Sequence, residues 1–145
     1  MTHQPMTPTL SQDVALECLD STGRTIELAA SFGYDTTDPF AVWITFPSPT
    51  GAVYWAMSRE TLLQGLTDPA GEGDVEVWPS VDPMGQEWVA FEFRSPDGRL
   101  IVQADTNDVQ RFLTLTLAAV PAGTEGDHLD IDAMVDGLLG RSPSQ

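Results

Sequence analysis

The chain has 145 residues, 41% of them hydrophobic with four Trp and six Phe, and six basic against 22 acidic residues give a formal net charge of −16. That length and apolar content suit one domain with a sizeable core and exclude a disordered chain. No apolar run approaches the ~18–20 residues that span a bilayer. The six basic residues are all scattered arginines, so the sequence offers no basic run for nucleic acid or anionic lipid.

In chain order, Met1–Thr9 has neither the basic nor the apolar region of a secretory signal. The expected organisation is a flexible tail over 1–12, one domain over 13–140 and a second tail over 141–145. Val14–Leu19 alternates, with Val14, Leu16 and Cys18 on one face of a half-buried strand. Asp20–Gly23 turns the chain and Ile26–Ala30 returns it. Gly33-Tyr34-Asp35-Thr36-Thr37-Asp38-Pro39 reads as a corner. Asp35 and Asp38 are placed to accept local backbone N–H groups there, and Pro39 sits where no ladder donor is needed. Phe40–Phe46 is apolar almost throughout, a strand covered on both faces. Pro47–Gly51 turns again, and Ala52–Met57 makes a fourth strand.

Ser58 is the expected N-cap of a two-turn helix carrying Leu62, Leu63 and Leu66, limited by Gly65 and Pro69. The loop Asp68–Gly73 then leads to a strand over Asp74–Trp78. Glu87–Ser95, with Val89, Phe91 and Phe93 on one face, and Arg99–Ala104 form a hairpin whose turn uses Pro96 and Gly98. Asp105 caps a long helix with an apolar stripe of Val109, Phe112, Leu113, Thr116, Leu117 and Val120, stopped at Pro121. Asp130 is the expected N-cap of a last helix bearing Met134, Val135, Leu138 and Leu139. About seven strands in runs with three helices favour an α+β fold on an antiparallel sheet, built from two similar "strands then helix" halves.

The residues offer little catalytic chemistry. His128, Asp130 and Asp132 alternate, but the two aspartates sit where a helix start favours negative charge, which explains them better than a metal does. Cys18 lies on an apolar face without an activating base. There is no Gly-x-Ser-x-Gly elbow, and no phosphate loop is possible in a chain without Lys. Trp43, Trp55, Trp78 and Trp88 lie on expected strands, where aromatics can stack bases. Single-strand binders pair such platforms with a positive groove, so these tryptophans are assigned to a core or an interface. The expectation is a non-enzyme without cofactor or metal that binds no nucleic acid.

Four stretches together resemble the SsgA-like family of actinomycete sporulation and cell-division proteins: Gly33–Val42, Gly73–Ser80, Arg94–Gly98 and Val120–Glu125. The resemblance spans roughly Val14–Leu139, and the motifs appear with little elaboration, as in the family's B-type members. It implies a Whirly-like fold with a strongly twisted antiparallel sheet, assembled as a homotrimer. It further implies a non-catalytic adaptor that helps recruit or position the tubulin-like protein FtsZ, with other SsgA-like proteins, at cytoplasmic septum sites and without membrane insertion. An acidic regulator that mimics nucleic acid and binds a basic partner is the competing expectation. The expected partner-binding residues are Met134, Leu138 and Leu139 on the last helix and Asp68 and Glu72 in the loop.

Overall fold

A computed structural model describes residues 9–129 except Asp20, Ser21 and Gly23. Eight strands form one antiparallel sheet: β1 (Leu10–Leu19), β2 (Thr25–Tyr34), β3 (Ala41–Phe46), β4 (Val53–Ser58), β5 (Ala70–Glu72), β6 (Val75–Val81), β7 (Glu87–Ser95) and β8 (Gly98–Asp105). Two helices, α1 (Arg59–Gly65) and α2 (Thr106–Ala119), follow β4 and β8, and a 3₁₀ turn spans Glu125–His128. The strand order β4-β3-β2-β1-β8-β7-β6-β5 is two four-stranded meanders joined by the pairing of β1 with β8. Each meander ends in its own helix, as the two similar halves of the sequence anticipate.

The strand count exceeds the expected seven because Ala70–Glu72 is not loop. It pairs with Val75–Val77 through the positive-φ Gly73. Three residues with two glycines nearby carry no readable alternation, so pattern alone misses such a strand. Pro79 falls inside β6, beyond the pairing of Val77 with Ala70 at the start of β5, so the missing N–H faces an edge that no strand covers. β1 begins at Leu10, four residues before the first alternating residue. The expected helix over 130–140 lies outside the described residues.

One sheet face carries the core. Val14 and Leu16 of β1, Phe32 and Tyr34 of β2, Val42, Ile44 and Phe46 of β3, and Val89, Phe91 and Phe93 of β7 are all buried there. α2 covers it with Val109, Phe112, Leu113 and Thr116, the expected stripe, and α1 adds Leu62. A run of rings shows how far the sheet curls: Phe112 meets Phe32 at 5.2 Å, Phe32 meets Phe91 at 6.5 Å, and Phe93 touches both Phe46 at 5.8 Å and Trp55 at 5.0 Å. Residues of β3 and β4 therefore reach β7 across the interior. At one end the two edge strands come together, where Ser58 N–H donates to Glu72 Oε1 at 2.6 Å.

The other face is not wholly solvated. Ala90 and Glu92 are buried on it, Glu92 being held by Arg94 at 3.3 Å and Arg99 at 3.1 Å. Trp43 is buried there too, and its indole N–H has no acceptor among the described residues. Around β1 and β2 the face is open, forming a broad, shallow groove of about 610 Å³ floored by Ala15 and Ala29 between Asp13 and Glu27.

Candidate functional site: the Arg59 node

Two of the stretches singled out in the sequence, the corner after β2 and the segment after α2, meet at one buried side chain that the sequence reading did not single out. Arg59 opens α1 and is only 1% exposed. Its Nη1 donates to the carbonyls of Thr116 at 3.1 Å and Val120 at 2.6 Å, and its Nη2 donates to Glu125 Oε2 at 2.8 Å. The guanidinium lies 5.4 Å from the centre of the Tyr34 ring. The last carbonyls of a helix have no partners within it, and a cation there also suits the helix dipole. Arg59 supplies both to α2, which has no basic residue in its own last turn.

Local chemistry builds the surroundings. Ser58 caps α1, its Oγ accepting Thr61 N–H at 3.0 Å as expected. In the corner Asp35 Oδ1 accepts Thr37 N–H at 2.9 Å and Thr37 Oγ1–H at 2.8 Å, while Asp38 N–H donates to Asp35 O at 2.9 Å. Asp38 departs from expectation: its backbone carbonyl, rather than its carboxylate, takes the next turn bond, from Ala41 N–H at 3.3 Å. Burial, and then the neighbouring Asp35, push the Asp38 carboxyl above its usual range. Tyr34 O–H donates to Pro39 O at 2.8 Å, and Arg59 N–H donates to Phe40 O at 2.7 Å, so the corner is fixed on both sides of Phe40. Burial raises the Tyr34 phenol despite the nearby cation. Glu125 is depressed, first by the bond from Arg59, and its Oε1 also accepts Gly123 N–H at 2.8 Å.

Between the corner, α1 and the segment after α2 lies a cleft of about 420 Å³, lined by Phe40, Ser58, Arg59, Glu60, Leu63, Ala122, Gly123 and Glu125. Phe40 is a correction: β3 starts one residue later, and the ring stands 50% exposed at the cleft mouth instead of buried in a strand. Among the predicted partner-binding residues, Asp68 is exposed just after α1, and Glu72 ends β5 with its carboxylate tied to the Ser58 amide. The structure does not bring Asp68 and Glu72 into the Arg59 cleft. Met134, Leu138 and Leu139 lie outside the described residues, as do Asp130 and Asp132. Cys18 is half-buried beside the core, as its place in the β1 alternation requires.

This geometry defines an α+β protein whose most elaborate polar site serves to join elements. The comparisons give the family. The model of the "Streptomyces sporulation and cell division protein, SsgA" family matches residues 28–125, more than half of the chain. The sporulation-specific cell division protein SsgB of Streptomyces coelicolor is 39% identical over 140 residues, covering 94% of this chain and 100% of that protein. SsgB of Salinispora tropica is 38% identical over 139 residues, covering 94% and 95%. Two solved structures are similar. The crystal structure of an SsgA-like sporulation-specific cell division protein from Thermobifida fusca YX-ER1 gives a TM-score of 0.80 at 32% identity, covering 92% of this chain and 98% of its own. A structure reported with mutations in SsgB that correlate to longitudinal cell division during sporulation of Streptomyces coelicolor gives 0.78 at 38% identity, covering 88% and 100%. The chain belongs to the SsgA family of sporulation and cell division proteins, and the Streptomyces coelicolor and Salinispora tropica relatives carry the B-type name that its plain motifs suggested.

Proposed function

We propose that this protein is a non-catalytic adaptor of sporulation-specific cell division that recruits or positions FtsZ at septum sites, acting as a homotrimer alongside other SsgA-like proteins. The observation that carries the reading is full-length similarity: the chain spans 95–100% of two relatives named sporulation-specific cell division proteins. The Arg59 node supports it, because the corner after β2 and the segment after α2 direct their polar atoms to one another and to Arg59, which builds a platform. No helix among the described residues is long and apolar enough to cross a membrane. A chain of net charge −16 with no basic run is repelled by an anionic bilayer, so attachment at the septum is assigned to protein partners.

Light scattering of the purified protein, alone and with FtsZ plus GTP, tests this directly. The expected result is a trimer that enhances or bundles the polymer. A protein that leaves FtsZ assembly unchanged at any ratio removes the FtsZ part of the reading.

A further inference from the structure

We infer that the cleft beside Arg59 is a docking surface for a partner segment that presents an apolar side chain next to a cationic one. The inference deepens the recruiting role proposed above and rests on it. Phe40 stands half exposed. A large ring half in water is ordinary when it stands alone on a surface. Here it forms one wall of a concavity whose other apolar parts are Leu63 and Ala122. Its backbone is held by the bonds from Tyr34 O–H to Pro39 O and from Arg59 N–H to Phe40 O. A ring displayed on a fixed backbone loses little further freedom on binding, and aromatic residues beside well-packed pockets dominate interface energies.

Charge selects the occupant. The charged groups facing the cleft are Arg59, Glu60 and Glu125. Arg59 and Glu125 neutralise each other at 2.8 Å, and the guanidinium is buried with three of its N–H groups already bonded, so it is floor rather than ligand. Glu60 is exposed in the first turn of α1 and has no ion pair among the described residues. The local sign is therefore negative, within a chain of net charge −16. Such a site favours a cation beside the apolar anchor. A nucleic acid or an anionic bilayer has the wrong sign, and a second copy of this chain brings the same acidity.

The test is an amide-shift NMR titration of the full chain with two blocked tetrapeptides, Arg-Leu-Leu-Arg and its charge reversal Glu-Leu-Leu-Glu, at low salt. Shifts from the first are expected to concentrate on Phe40, Ser58, Glu60, Leu63 and Gly123, with affinity about tenfold above the second. Phe40→Ala is expected to abolish the localised shifts, and Glu60→Gln to cut the ratio to about threefold. Both side chains are exposed, and the rest of the spectrum reports that each variant is folded. Shifts scattered over the acidic surface, equal binding of the two peptides, or an unchanged Phe40→Ala titration overturns the docking surface. Deleting the gene in a sporulating host separates this from failure of the functional reading. If septation stops while the peptide does not dock, the recruiting role stands and the cleft assignment falls. If septation is normal, the recruiting role falls whatever the peptide does.

Discussion

Arg59 shows how one side chain can tie three segments distant in sequence. Replacing it with methionine keeps much of the stem volume but takes the guanidinium from the Val120 carbonyl and the Glu125 carboxylate, while the Thr116 carbonyl keeps its bond from Val120 N–H. Buried acceptors left unpaired cost roughly 1–3 kcal/mol each. Arg59→Met is thus expected to destabilise by about 3 kcal/mol and lower the melting temperature by about 10 °C. Arg59→Lys should fall between, since an ammonium keeps the charge without the planar fork. The ion pair also shapes the acid limb. Because Arg59 depresses the folded-state carboxyl of Glu125, its contribution is complete above the ordinary value of 4.5 and is lost as pH falls through the depressed one. Circular-dichroism melts from neutral to acid pH should show a shallower acid limb in Arg59→Met than in the parent. Equal melting temperatures at neutral pH would mean that water satisfies the α2 carbonyls.

At the scale of elements, the join between α1 and β6 depends on an absent side chain. A Cβ on Gly65 would meet Val77 Cβ at 2.7 Å and Val77 Cγ1 closer still. Helix propensity alone favours Gly65→Ala by up to ~1 kcal/mol, yet overpacking costs ~1–3 kcal/mol. The expected net effect is destabilisation, because Val77 sits on a paired strand and cannot retreat. In a double-mutant cycle with Val77→Ala, which removes the Cγ1 contact but keeps Cβ, the second substitution should recover part of that loss, about 1 kcal/mol. Additive effects in denaturant titrations would show that α1 simply slides away. This contact also marks the limit of what could be read from sequence. Both described helices, their caps Ser58 and Asp105, and the hairpin of β7 and β8 were legible, since each follows from periodicity or capping within a few residues. Gly65 was read as a helix limiter, and its second role against a strand twelve residues away leaves no local mark. Arg59 escaped for the same reason. An arginine beside a cap resembles a solvated helix start, and only the fold brings Thr116, Val120 and Glu125 to it. β5 and the exposed Phe40 were missed because a three-residue strand and a one-residue boundary lie below the resolution of an alternation pattern.

For the whole molecule, the imbalance of 22 acidic against six basic residues outweighs any single pair. Five ion pairs occur among the described residues; of their arginines only Arg59 is buried, while Arg94, Arg99 and Arg111 are substantially exposed. Exposed pairs contribute ~0–1 kcal/mol each and weaken with salt. Repulsion among the remaining carboxylates acts over longer distances. Glu17 and Glu27, for example, face each other directly across β1 and β2. Raising ionic strength from about 0.01 to 0.15 M shortens the screening length from ~30 to ~8 Å, which removes much of the long-range repulsion and less of the close attraction. The protein should therefore melt a few degrees higher in the saltier buffer by scanning calorimetry. The homotrimer we propose concentrates threefold the charge of one chain, so salt should also shift sedimentation profiles from monomer toward trimer. A melting temperature that falls with salt would mean that the arginine pairs around Glu92 govern stability, and a trimer that dissociates with salt would place charge pairing at its interface. Docking of a cationic segment in the Arg59 cleft should move the opposite way and weaken as salt rises, because screening removes an attraction there rather than a repulsion.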